Sequence, residues 1–190
     1  SAKTVFQHIL NLPHTTYRSC GYSDSVMKGR NFLGLVAVIM VVAAAIDQVV
    51  KQAMLSWLEP GQAVNVIGDW FRFYLLFNPG AAFSMGENMT WLFTAIQLVF
   101  VVGALLYAPK LTNKWEAIGI GLIAGGALGN LCDRLFREPG FWFGHVVDYI
   151  SVGSFAVFNI ADACITVGVV VFVVAMFVTE FRASSKERTK

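Results

Sequence analysis

Four stretches of the chain, each roughly 16 to 22 residues long, carry no charged side chain apart from one aspartate at the head of the last. They are Asn31–Ile46, Asn88–Pro109, Ala117–Cys132 and Asp162–Thr179. At about 1.5 Å per residue, each approaches the ~30 Å hydrocarbon core of a bilayer, and polar ends complete the crossing. The pattern predicts transmembrane helices over about 31–55, 89–109, 114–132 and 158–180.

Between the first two spans the period changes. Pro60-Gly61 ends the helix, and Val64–Phe77 is dense in β-branched and aromatic residues around a Gly68-Asp69 turn signal. Phe71, Phe73, Leu75 and Phe77 fall on one face of the expected strand, with Trp70, Arg72 and Tyr74 on the other. The expected fold class is an all-α membrane protein with four transmembrane helices and a small extracytoplasmic β segment over about 64–84. Residues 31–182 form the membrane domain. Residues 1–30 have no apolar period and read as an N-terminal cytoplasmic tail, and 183–190 as a basic cytoplasmic C-tail.

Composition agrees, with 56% hydrophobic and 14% charged residues, on the membrane side of globular usage. A signal peptide is the alternative for the first run, but Asp47 and Lys51 follow it in place of a small-residue cleavage site, so the span is expected to stay. Lys3, Arg18, Lys28 and Arg30 precede the first span, Lys110 and Lys114 lie between the second and third, and Arg182, Lys186, Arg188 and Lys190 follow the fourth. Both termini are therefore expected to be cytoplasmic, with residues of about 52–89 and 133–160 outside as loops. The net charge of +2 sums these polarised segments and points to anionic membrane lipid as a partner, not nucleic acid. Cys20, Cys132 and Cys164 have no metal-ligand spacing and form no even-numbered framework, so they are expected to be unpaired, with no metal and no cofactor.

Polar residues inside the spans carry the chemical interest, because a carboxylate in lipid costs several kcal/mol unless partnered or wet. Counted at ~1.5 Å per residue, Asp47 lies about 24 Å from Asn31, Asn130 about 24 Å from Lys114 and Asp162 about 27 Å from Glu180. All three reach the outer edge of the hydrocarbon layer. Asp133 and Arg134 follow Asn130 by three and four positions, and an ion pair between them, or from one of them to another polar residue, is expected. Singly, Asp47 and Lys51 also fit a snorkelling pair and Asn130 a helix–helix hydrogen bond. A shared depth on several segments favours one site. Gly121, Gly125 and Gly129, four apart, form a stripe that lets another helix approach closely.

Five blocks in order give the chain a resemblance: Asp47-Gln48-Val49-Val50-Lys51, Asn78–Ser84, Gly125–Arg134, Val146–Ile150 and Phe158–Asp162. From about Ile46 to Thr166 it resembles the bacterial lipoprotein signal peptidases, or signal peptidase II. The resemblance implies an aspartic endopeptidase of the bacterial cytoplasmic membrane, acting as a peptidase domain over 31–182. Its substrates would be lipid-modified prolipoproteins, cut on the amino side of a diacylglyceryl cysteine. By the last two blocks, Asp148 and Asp162 are the implied catalytic dyad. Asp47, Lys51, Asn78, Gly80, Asn130, Asp133, Arg134 and Asn159 are implied as dyad-supporting or substrate-binding residues. Pro79 stands where a small polar residue is expected, and the tail before Asn31 is longer than the family needs.

The residues suit that chemistry, since two carboxylates sharing one proton can deprotonate water and protonate the leaving amine. Asn159 and Asn130 are expected to donate hydrogen bonds to the carboxylates or to the substrate carbonyl, and the segment around Phe71–Phe77 to cover the cleft. One chain supplies the whole set, which favours a monomer. The alternatives are a thiol mechanism drawn from Cys164, His145 and Asp148, a small channel or proton-coupled carrier, and a structural membrane subunit. Carriers place charges near the midplane, often in repeated halves, and a structural subunit leaves the common polar level unexplained.

Overall fold

The structure, a computed structural model, describes residues 31–80 and 89–187. The tail 1–30 with Cys20, residues 81–84 of the outer segment and the last three residues lie outside the described residues. Among the described residues, four helices are long and apolar enough to cross a membrane. We label them α1 (Leu33–Trp57), α2 (Thr90–Tyr107, continued by a short 3-10 turn Ala108–Lys110), α3 (Lys114–Phe136) and α4 (Ile160–Glu187). The mostly helical membrane fold expected from the hydropathy pattern is the one observed.

Helix α3 is the centre of the bundle. Of its most apolar window 61% is buried inside the protein, against 28%, 22% and 17% for α1, α2 and α4, which turn most of their surface outward. Asn113 caps α3 by accepting a hydrogen bond from the Trp115 backbone N–H at 2.9 Å. The glycine stripe faces α1: a Cβ on Gly125 would lie 2.6 Å from Ala43 Cβ, and one on Gly129 2.6 Å from Asp47 Oδ2. On another face of α3, a Cβ on Gly126 would collide with the Ala161 carbonyl oxygen of α4. With no hydrophobic drive between helices in lipid, such backbone approach and its dispersion contacts supply much of the association. Met40, Val101, Ala104, Ala124, Ala127 and Leu131 fill the space between α1, α2 and α3.

A three-stranded antiparallel sheet closes one end: β1 (Ala63–Ile67), β2 (Phe71–Asn78) and β3 (Val146–Val152), in that spatial order. β1 and β2 are the hairpin that the Gly68-Asp69 signal predicts. β3 differs from expectation, since the sequence pattern assigns 133–160 to an outer loop. Its burial explains why: Val146, Val147, Asp148 and Tyr149 are all buried, so the strand lacks the half-polar alternation that marks a surface strand. The expected alternation of β2 also fails partway. A bulge between Phe73 and Leu76 buries Leu75 and leaves Phe77 exposed. β3 runs through one short loop into α4, and Leu58, Leu75, Val147 and Tyr149 pack as the core joining sheet to bundle.

Candidate active site

Asp162 owes its position to the start of α4. Asn159 precedes the helix, and its Oδ1 accepts the Asp162 backbone N–H at 3.0 Å. In return, Asp162 Oδ2 accepts the Asn159 backbone N–H at 3.2 Å. This is a reciprocal capping box, with asparagine and aspartate in the two roles. The first-turn position also sets the carboxylate against the positive end of the helix dipole. Another amide at this terminus, that of Ala161, donates to Asp47 Oδ1 at 2.9 Å. One acidic residue of α1 thereby helps hold the helix that carries another.

Asp148 comes from the middle of β3 and is 2% exposed. Its two oxygens accept from two asparagine amides: Asn159 Nδ2 to Oδ1 at 2.7 Å and Asn78 Nδ2 to Oδ2 at 2.9 Å. Asn159 therefore touches both carboxylates, Asp148 through its side chain and Asp162 through its backbone. Burial, and next the Asp162 charge, push Asp148 up to about 7, against the pull of the Asn78 and Asn159 hydrogen bonds and of Lys51. Asp162 is only partly buried, so the pair combines an enclosed carboxyl with a more open one.

Behind the pair lies a closed polar layer. Lys51 is fully buried, and its ammonium reaches Asp47 Oδ2 at 2.8 Å, Asp133 Oδ2 at 2.7 Å and Asn130 Oδ1 at 2.8 Å. Three donors meet three acceptors, so Asp47 and Lys51 form a buried internal pair with no snorkelling. Asn130 then donates to Asp162 Oδ1 at 2.9 Å and passes the orientation set by Lys51 on to the carboxylate. Asp133 also accepts from the Val147 backbone at 3.2 Å, which fixes the strand one residue before Asp148.

Asp133 and Arg134 do not pair with each other. Asp133 binds Lys51 and, at 2.6 Å, Arg137. Arg134 points away, donating to the carbonyls of Pro79 at 3.2 Å and Gly80 at 2.7 Å, with its guanidinium over the Phe93 ring. Adjacent residues on a helix diverge by about 100°, so a pair between them would need both side chains to bend back. Pro79, unusual in sequence, contributes a carbonyl that accepts from Arg134 and from Thr90. Gly80 gives its N–H to Asn78 Oδ1 at 3.0 Å.

All ten residues singled out in the sequence thus fall in one region at the sheet end of the bundle. Others in the network had not been singled out. Gln48 donates to Asp133 Oδ1 at 3.0 Å and to the Gly129 carbonyl at 2.9 Å, and its polarity within an apolar run was the available signal. Arg137 stands four after Asp133, an i,i+4 pair readable without coordinates. Thr94 Oγ1 donates to the Trp142 carbonyl at 2.9 Å, a contact with no sequence signal. The thiol triad is not assembled, because both oxygens of Asp148 are held by asparagines and His145 holds neither. Cys132 and Cys164 are unpaired. Tyr149 is 1% exposed, and its hydroxyl faces the Ile160 backbone N–H at the start of α4. Burial, and next the Asp47 charge, raise its phenol.

The signal peptidase II family model matches residues 39–178 of this chain. A lipoprotein signal peptidase of Rhodococcus jostii is 47% identical over 140 residues, covering 74% of this chain and 71% of the relative. One from Mycolicibacterium smegmatis is 39% identical over 169 residues, 88% of this chain and 72% of that protein. A bacterial membrane enzyme solved by the in meso method superposes with a TM-score of 0.69 at 29% identity, over 80% of this chain and 92% of its own.

Proposed function

The chain belongs to the signal peptidase II family, and from that premise we propose that it is an intramembrane aspartic endopeptidase with Asp148 and Asp162 as its catalytic dyad. It is a bacterial multi-pass membrane protease of the lipoprotein signal peptidase kind. Its substrates are diacylglyceryl-modified prolipoproteins, cut just before the lipidated cysteine. The observation that carries the dyad is Asn159 hydrogen-bonding both carboxylates at 2.7 and 3.2 Å, with Asp148 raised to about 7.

A pair holding one proton near neutral pH needs no other acid or base. The ionised carboxylate takes a proton from water as the water attacks the scissile carbonyl. The protonated one stabilises the developing oxyanion and then supplies the proton that the leaving amine requires. Asn78, Asn130 and Asn159 hold the carboxylate oxygens in place, so little reorganisation is needed as charge moves. Asp47, Lys51 and Asp133 support that arrangement from behind, and Arg134 with Gly80 shapes the cleft mouth. β2, with Leu76 opposite Asp148 in register, lies beside the dyad where a covering strand would sit.

We place the dyad near the outer leaflet surface, with both termini cytoplasmic and the monomer as the working unit. A lipidated cysteine at the outer end of a signal helix then meets the dyad without leaving lipid. The test is cleavage of a diacylglyceryl prolipoprotein by purified protein in detergent. Asp148→Asn and Asp162→Asn should each lower turnover by about 10²–10⁴-fold or more; appreciable cleavage by either variant would remove the dyad. Equal turnover of an unlipidated precursor would remove the substrate assignment.

A further inference from the structure

The sheet carries a pocket on the face turned away from the Asp148 carboxylate. Arg72 and Ser151 are cross-strand partners, and Ser151 stands three positions after Asp148 on β3, which puts it on the opposite face. The pocket has a volume of about 420 Å³ and is lined by Ala63, Arg72, Tyr74 and Ser151 of the sheet and by the loop after β3, including Ser154 and Phe155. Among the described residues Arg72 is the one charged side chain in that lining.

Its guanidinium is poorly occupied. Among the described residues it makes one hydrogen bond, Nη2 to Ser151 Oγ at a long 3.3 Å, and its Nε is buried with no partner. No described carboxylate forms an ion pair with it. The Asp69 carboxylate of the neighbouring turn accepts from Asn65 at 2.9 Å. An arginine remains charged at any physiological pH, and its fork is shaped for two parallel bonds to an oxyanion. Around it stand three hydroxyls, on Tyr74, Ser151 and Ser154, each able to donate.

We propose that this pocket binds the phosphate of a phospholipid headgroup. β1 and β2 follow the end of α1, and β3 leads into α4, so the sheet sits at a membrane-crossing end of the bundle. Exposed apolar side chains flank the pocket. Phe155, in its wall, and Trp70 are each 62% exposed, and Ile67 is 60% exposed. Trp70 Nε1 lies 3.6 Å from where a Cβ on Gly153, another lining residue, would be. Aromatic rings beside a phosphate-binding cation are the usual furniture of a membrane–water boundary. The rings rest among acyl chains and glycerol while Arg72, aided by the hydroxyls, takes a phosphodiester oxygen pair. Since β2 carries Arg72 and pairs with the strand that carries Asp148, the bound headgroup sets the height and tilt of the sheet against the bilayer.

Lipid occupancy can be counted without any cleavage, so the peptidase reading can fail and leave this inference standing, or the reverse. The full chain in detergent is titrated with dihexanoyl phosphatidylglycerol, and bound lipid is counted by native mass spectrometry. Arg72→Gln should weaken binding at least about tenfold, as expected for loss of a charge-assisted bidentate contact. Ser154→Glu, at an exposed position, should do the same by placing a negative charge at the mouth. Dihexanoylglycerol, which has no phosphate, should not compete. Asp148→Asn should bind as the wild type does. Wild-type binding by Ser154→Glu and by folded Arg72→Gln overturns the proposal; if Arg72→Gln fails to fold, Ser154→Glu decides alone. Displacement of the lipid by an equal concentration of inorganic phosphate overturns it too, because the pocket would then read a free anion and not a headgroup.

Discussion

Asn159 donates its side-chain amide to Asp148 Oδ1 at 2.7 Å while capping the helix that carries Asp162. One residue thereby serves helix initiation, strand-to-helix docking and the proposed dyad. Replacing it by alanine should lower stability by about 1–2 kcal/mol through the lost cap. Cleavage should fall more than that loss explains, because Asp148 loses a donor. The missing hydrogen bond to the charged form also moves Asp148 above about 7. The basic limb of the pH–rate profile should therefore shift to higher pH, whereas a purely structural role would leave it in place.

On the proposed mechanism cleavage requires one proton on the pair, so the rate should fall as pH rises through about 7, where Asp148 ionises. The same value bears on stability. A carboxyl raised from 3.8 to about 7 holds its proton more tightly folded than unfolded. Its contribution is complete below the unfolded value and is lost as pH rises through the folded one. Melting curves in detergent should show wild type losing stability relative to Asp148→Asn between about pH 4 and 7. Parallel curves for the two proteins would contradict the raised value.

Lys51→Met leaves Asp47 and Asp133 buried without their shared cation. Removing one partner of a buried ion network costs about 3–5 kcal/mol, and thermal unfolding in detergent should show a loss of that order. Adding Asp47→Asn to Lys51→Met removes one stranded charge and should recover part of it. Equal melting temperatures for wild type and Lys51→Met would mean that the network is not closed as described.

Gly125→Leu forces α1 away from α3, since even a Cβ there would stand 2.6 Å from Ala43 Cβ and 3.0 Å from the Met40 carbonyl. Both stability and cleavage should drop, because Asp47 and Lys51 sit on the displaced helix. Gly103→Ala is the control: nothing lies within 4 Å of its Cβ position, and the melting temperature should hold or rise slightly on helix propensity.

Cys164→Ala should retain most of the cleavage activity. The thiol is partly buried on α4, and His145 is not bonded to Asp148. Loss of turnover in a folded Cys164→Ala protein would restore the nucleophilic reading.

The spans, the β1–β2 hairpin and the common depth of Asp47, Asn130 and Asp162 were legible in the chain because each depends on local or periodic properties: runs without charge, turn residues and rise per residue. The glycine stripe of α3 was legible for the same reason. Its target on α1, with Gly125 against Ala43 and Gly129 against Asp47, was not, since a stripe names a face but no neighbour. β3 was hidden because burial on both faces erases alternation. The partition of Asp133 to Lys51 and Arg137, and of Arg134 to the carbonyls of Pro79 and Gly80, depended on side-chain directions that spacing alone does not encode. Sequence determined which polar groups share one level along the helices and, through the family blocks, which two aspartates are implied as a dyad. Only the tertiary structure decided who bonds to whom, because a buried hydrogen-bond network closes across three helices and two strands, and its members meet only once the helices have packed.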